Sequence, residues 1–243
     1  MNLDRPLVQR FADAQGVAQQ AAEDALSLIA HLLINQPRVN LCVTGGTVGI
    51  ATLAEMASQS SSFEIDYGRL HVWWGDERFV ASDDSARNAL QARKAWLNKV
   101  AIPTENIHEF PSADNDLDID DAAAKFNDYF ADQKPKFDLV FLGMGPDGHI
   151  NSLFPQAEIP APGVFVIAEH DSPKPPKFRL SFTYEVVNSA DRVWIIVAGA
   201  DKQDAVAVAF GDNSSSLPIG KVRGKNETKW YLDSTAATKV FGC

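Results

Sequence analysis

Residues 137–149 read FDLVFLGMGPDGH, an apolar run that passes directly into a glycine-rich turn ending on a histidine. Short, nearly continuous apolar runs of this kind predict strands buried on both faces. The same grammar recurs outward from this point. Val39–Thr44 (VNLCVT) is closed by Gly45-Gly46, Leu70–Trp74 (LHVWW) by Gly75, and Arg192–Ala198 (RVWIIVA) by Gly199. Helical spacing fills the intervals. In Ala14–Asn35 the apolar positions Val17, Ala21, Ala25, Leu28, Ile29, Leu32 and Leu33 share a face, and Pro37 ends the run. Further helices are expected over Ile50–Ala57, before a Ser58–Ser62 loop, and over Ser85–Val100, Asp118–Ala131 and Asp201–Phe210. Val164–Ala168 and Phe178–Phe182 read as strands flanking the loop 172–177, and a short strand at Trp230–Leu232 precedes a terminal helical turn. Apolar strands alternating with helices predict an α/β protein, a mostly parallel sheet with helices on both faces. No repeat and no long linker divides the chain, so one domain is expected over residues 1–243. In such sheets ligands bind outside the carboxyl ends of the strands, where this sequence places its glycines.

Composition narrows the partners. Of the 243 residues, 45% are hydrophobic, enough for a substantial core; 32 Asp and Glu against 22 Lys and Arg give a formal charge of -10. That balance argues against nucleic acid or an anionic membrane as partner, but not against a small anion gripped by a few gathered cations. The N-terminal MNLDRPLVQRFADAQ lacks the apolar centre of a secretory signal, and no run reaches the roughly 18 apolar residues of a membrane span. Cys42 and Cys243 read as free thiols of a reducing compartment, and the expected location is cytoplasmic. The sequons at Asn213 and Asn226 carry no weight without secretion.

Four clusters carry the candidate chemistry. Thr44-Gly45-Gly46-Thr47 stands between a strand and a helix, where backbone amides and a helix N-terminus favour an anion; a plain tight turn is the alternative. No Gly-Lys-Ser/Thr follows, so this is not a Walker A loop. Asp76-Glu77-Arg78 sets three charges at a strand exit. They are either a solvated, internally paired loop or a site with Arg78 on a phosphate or carboxylate and Asp76 as base or orienting carboxylate. Gly143-Met-Gly145-Pro-Asp147-Gly148-His149 contains G-x-G-x-x-G, with Glu169 at dinucleotide-fingerprint distance. Pro155, Pro160 and Pro162 leave no room for the crossover helix that fingerprint requires, so we reject it. The loop instead offers His149 beside Asp147, a candidate acid/base pair against the alternative of a structural histidine. Finally, Arg179 lies in a strand, and Lys202 opens a helix, where a cation opposes the dipole and is better explained by a bound anion than by helix stabilisation; a solvated lysine is the alternative. No second His or Cys stands at zinc-ligand spacing, and there is no G-x-S-x-G elbow.

In this order the clusters resemble the 6-phosphogluconolactonase family and its wider relatives, the glucosamine-6-phosphate deaminases. The matching pieces are VTGGT (43–47), WGDERFV (74–80), LGMGPDGHINSLFP (142–155), RLSFT (179–183), GADK (199–202) and WYLD (230–233). Many relatives read SGGSTP where this chain has TGGTVG, and DSNY where it has Asp84-Ser85-Ala86-Arg87-Asn88. The deaminases carry a glutamate where this chain has Phe154. The resemblance implies a three-layer Rossmann-like fold and cofactor-free, metal-free hydrolysis of the phosphorylated sugar lactone 6-phospho-D-glucono-1,5-lactone. It implies His149 as general base with Asp147 or Asp76 as its partner. The amides of Gly45, Gly46 and Thr47, with Arg179 and Lys202, would hold the phosphate, and Arg78 either the phosphate or the lactone carbonyl. Backbone amides around Gly143–Gly148 would form the oxyanion hole. An amino-sugar-phosphate deaminase or isomerase and a non-catalytic sugar-phosphate sensor are the competing expectations.

Overall fold

The computed structural model describes residues 6–115 and 117–241; Cys243 lies outside them. The chain begins with strand β1 (Leu7–Phe11) and helix α1 (Ala14–Asn35). The Asp13 side chain starts α1 by accepting the Gly16 N–H, and the Ala-rich face with Val17, Leu26 and Ile29 is fully buried. Then come β2 (Val39–Val43), α2 (Gly46–Gln59), β3 (Leu70–Trp74), β4 (Asp76–Arg78), α3 (Asn88–Ala95) and β5 (Ile107–His108). The second half comprises α4 (Ile119–Gln133), β6 (Leu139–Leu142), β7 (Val166–Glu169), β8 (Arg179–Phe182), α5 (Tyr184–Ser189), β9 (Arg192–Val197), α6 (Gln203–Ala209), β10 (Glu227–Asp233) and α7 (Ser234–Phe241). Asp118 caps α4 on the Asp121 N–H, and two more acids follow in its first turn, where the helix dipole favours them.

Seven strands form one parallel sheet in the order β1-β10-β9-β6-β2-β3-β5. From β2 the chain builds outward through β3 and β5, then returns to place β6 on the other side of β2 and continues through β9 and β10. The order therefore reverses between β2 and β6. Neighbouring crossovers leave a crevice at such a point, outside the carboxyl ends of the strands. The loops that emerge there are Thr44–Thr47 and Gly143–His149.

The α/β class and the parallel sheet agree with the sequence reading, while several elements differ. The second helix begins at Gly46 rather than Ile50, so the glycine turn is the helix's own first turn. The third helix is shorter, Asn88–Ala95 rather than Ser85–Val100, and is followed by a 3₁₀ turn. Lys202 ends a 3₁₀ turn and caps α6. The terminal helical turn is an eight-residue helix. The largest difference is a second, antiparallel sheet, β4-β8-β7. The charged Asp76-Glu77-Arg78 is not loop but strand, paired with Arg179–Ser181. It tolerates this position because Glu77 faces inward and accepts the N–H groups of Arg78, Asn88 and Ala89, two of which open α3. One carboxylate thus starts a helix eleven residues downstream, in the manner of an N-cap supplied by another element. Burial pushes its pKa up to about 7 against the pull of Arg87 and of the three amides.

Candidate active site

The crevice at the switch point is a cleft of about 570 Å³. Gly45, Gly46, Thr47, Asp76, Arg78, His149, Arg179 and Lys202 all border it. Asp147 does not; it stands behind His149 and holds it. The topology explains this convergence, since residues 44–47 leave β2, 76–78 follow β3, 143–149 leave β6 and 199–202 leave β9.

His149 Nδ1 lies 2.5 Å from Asp147 Oδ1. The loop closes on itself, with Gly145 N–H donating to His149 O and Gly148 N–H to Gly145 O. Glycine at 145 is a steric requirement, because a Cβ there would stand 2.1 Å from the imidazole Cε1 and Nδ1. At Gly148 the backbone is left-handed, φ 77°. Burial would raise the Asp147 pKa, but the charge and hydrogen bonds of His149 outweigh it and hold the carboxyl below its ordinary range. Burial lowers the His149 pKa below 6.5, only partly opposed by Asp147. An imidazole in this state is neutral at pH 7, carries its proton on Nδ1 toward the carboxylate, and keeps a lone pair on Nε2. Phe154 packs against the ring, centroids 4.7 Å apart, which keeps that side of His149 apolar.

Of the two candidate partners of His149, Asp147 makes the contact. Asp76 is engaged elsewhere: its Oδ2 accepts the Ser152 hydroxyl at 2.7 Å and lies 3.9 Å from Arg179 Nη1. Arg179 is fixed by two further bonds, Nε to Pro176 O and Nη2 to Lys174 O. Directly across the β4–β8 ladder stands Arg78, anchored by Nη1 on Ala86 O. Like charges opposite one another on a sheet repel, and here both border a cleft, so a bound anion would relieve the pair. Lys202 is tethered to Asp201 at 3.0 Å.

The Gly143–Gly148 loop has fewer free amides than the sequence suggested. Gly143 N–H faces Thr44 Oγ1, those of Gly145 and Gly148 are used within the loop, and Pro146 has none. Of the loop residues bordering the cleft, Met144 keeps an N–H with no acceptor among the described residues.

Sequence reasoning missed Ser152, the partner of Asp76, although it lies in the quoted GHINSLFP stretch. It also missed Asn88, Asn151 and Lys174. Lys174 alone had a visible signal, a basic proline-rich loop between two strands.

An open parallel sheet with an amide turn, fixed cations and a carboxylate-held imidazole gathered at one switch point defines an α/β protein suited to chemistry on a small anionic ligand. A family model described as glucosamine-6-phosphate isomerases/6-phosphogluconolactonase matches residues 12–230. The 6-phosphogluconolactonase of Mycobacterium tuberculosis is 37% identical over 96% of this chain and 98% of its own length. The crystal structure of 6-phosphogluconolactonase from Thermotoga maritima superposes with a TM-score of 0.84 at 25% identity, covering 95% of this chain and all of that one. A monomeric glucosamine-6-phosphate deaminase shares the fold, TM-score 0.80 at 17% identity over 96% and 99% of the two chains. This chain belongs to the glucosamine-6-phosphate isomerase/6-phosphogluconolactonase family. None of its described helices is long and apolar enough to cross a membrane.

Proposed function

We propose that this chain hydrolyses 6-phospho-D-glucono-1,5-lactone to 6-phosphogluconate, with His149 as general base. The observation that carries the reading is the Asp147–His149 pair at the edge of a cleft that also gathers Arg78, Arg179 and Lys202. The substrate is an activated ester with a dianionic tail, and the cleft offers one group for each part. Arg179, Lys202 and the first amides of α2 take the phosphate. Arg78, cross-strand from Arg179, joins them on the same anion. Binding energy at this remote group orients the reacting carbon.

His149 Nε2 removes a proton from water as its oxygen attacks C1, and the carbonyl becomes a tetrahedral oxyanion. The Met144 N–H is the backbone donor available to it. As the intermediate collapses, the C1–ring oxygen bond breaks and the imidazolium returns its proton to the departing alkoxide. Asp147 fixes the tautomer and stabilises the transient imidazolium. Asp76 acts one step back, positioning Ser152 and Arg179. Nothing is oxidised, and His149 carries both proton transfers, so the steps balance without a redox cofactor. Phe154 favours hydrolysis over deamination. The deaminase sequence pattern has a glutamate there, whereas here an apolar ring leans on the imidazole.

The test is to generate the lactone with glucose-6-phosphate dehydrogenase and follow its disappearance with and without the protein. Decay faster than spontaneous opening supports the reading; decay at the spontaneous rate overturns it. Release of ammonia from glucosamine 6-phosphate would instead favour the deaminase.

A further inference from the structure

We propose that Asn88 and Asn151 form a hydroxyl-reading subsite that selects the polyol face of the sugar ring; this rests on the lactone reading above. Both residues are buried, at 1% and 7% exposure, and both border the cleft. Both also carry polar atoms that meet no partner among the described residues: Oδ1 of Asn88, and Oδ1 and Nδ2 of Asn151. Buried polar atoms are nearly always paired in native proteins, so three orphans on two residues of one cleft call for a ligand that completes them.

The orientation of Asn88 is fixed from two sides. Its backbone N–H donates to Glu77, and its Nδ2 donates to the carbonyl of Asp76 at 2.9 Å. With Nδ2 committed to an acceptor, the remaining atom must be the acceptor Oδ1. It stands beside Gly45, where a Cβ would be 2.0 Å away, so the glycine at the edge of the amide turn makes room for this side chain. Asn151 is held differently. Its backbone is left-handed, φ 48°, a conformation asparagine tolerates better than most residues. Its neighbour Ser152 is clamped to Asp76, and its Oδ1 lies where a Cβ on Gly75 would come within 2.3 Å.

The chemistry of these atoms identifies what they read. A phosphate dianion has only acceptors, so Asn88 Oδ1, itself an acceptor, offers it no hydrogen bond. A hydroxyl donates to Oδ1 and can accept from Nδ2. The phosphate therefore belongs with the cations, while ring hydroxyls lie along Asn88 and Asn151. Sites that hydrogen-bond a hydroxyl discriminate strongly against substrates that lack it, because their polar atoms are then left unpaired.

The experiment compares kcat/KM on the parent lactone with that on its 2-deoxy, 3-deoxy and 4-deoxy analogues, for wild type, Asn88→Ala and Asn151→Gly. Alanine suits the first position of a helix, and glycine suits the left-handed backbone. Each ratio is taken within one preparation, so partial unfolding cancels. Wild type is expected to prefer the parent over at least one deoxy lactone by about tenfold or more. For that lactone the preference should shrink to about threefold or less in each variant. Closure in only one variant removes the other residue from the subsite. Preferences equal to wild type for all three analogues in both variants overturn the inference while leaving the lactone reading intact. Failure of wild type to accelerate even the parent lactone overturns both.

Discussion

Two histidines of this protein make nearly the same bond and end in opposite roles. His149 sets Nδ1 2.5 Å from the Asp147 carboxylate; His108, on β5, sets Nδ1 2.5 Å from the Tyr129 hydroxyl. The difference is the other nitrogen. Nε2 of His108 is occupied by His71 Nδ1 at 3.0 Å, and its ring stacks on Trp73 with centroids 3.8 Å apart. His149 keeps Nε2 unbonded among the described residues, at the edge of the cleft. A carboxylate behind one nitrogen and open space before the other make a base. A phenol behind and a second imidazole in front make a packed aromatic stack. The local partner and the free lone pair, rather than burial alone, separate chemistry from structure.

The sharpest way to break this contrast is His149→Ala. Lactone hydrolysis should fall on the order of 10²–10⁴-fold with KM changed little, because the phosphate grip is elsewhere. The comparable double change at the other site, His71→Gln with His108→Gln, should leave turnover at pH 7 near wild type. Asp147→Asn should cost about 10–10²-fold, since the imidazole stays but its tautomer and charge partner are lost. It also carries a sign. Asp147 raises the His149 pKa, so removing it should move the acidic limb of the kcat/KM profile to lower pH, starting from a wild-type limb that already lies below 6.5. A limb that moves upward would remove Asp147 from this role. Arg179→Ala should act on KM, by about 10–10²-fold, which corresponds to one charge-assisted hydrogen bond.

The smallest effect concerns stability. Burial, with Arg38 nearby and His71 adding to it for His108, lowers the pKa of both His71 and His108 to about 4 from 6.5. A histidine whose folded pKa is depressed binds its proton more readily when unfolded. Its contribution is therefore complete above pH 6.5 and is lost as pH falls from 6.5 toward 4. For the well-buried His108 that window holds at most about 3 kcal/mol. Urea midpoints at pH 7, 5 and 4 should decline in wild type and decline less in the double glutamine variant. Parallel declines would assign the acid sensitivity to other groups.

The contrast also marks where sequence reading reaches its limit. The strand exits at Thr44, Gly143 and Gly199 were legible because continuous apolar runs ending on glycine have one physical interpretation in an α/β chain. His149 stood out because a glycine loop frees space around it. The start of α2 at Gly46 was not legible, since glycine's poor helix propensity hides a helix whose first turn is committed to a cleft. That Asp76-Glu77-Arg78 is a strand was not legible, because nothing local reveals that Glu77 points inward to open α3. The choice between Asp76 and Asp147 depended on Ser152 and Arg179 occupying Asp76, which are contacts across 76 and 103 positions of chain. Asn88 and Asn151 were invisible for a different reason. Their significance lies in bonds they do not make, and an asparagine in a loop sequence looks the same whether or not its amide is satisfied.

The central claim concerns one nitrogen, and ¹⁵N NMR of the histidine side chains observes it directly. With His149 assigned by its loss in His149→Ala, the spectrum at pH 7 should show its proton on Nδ1 and an unprotonated Nε2, converting to imidazolium only below pH 6.5. A protonated Nε2 at pH 7, in either the neutral or the cationic ring, would contradict the account.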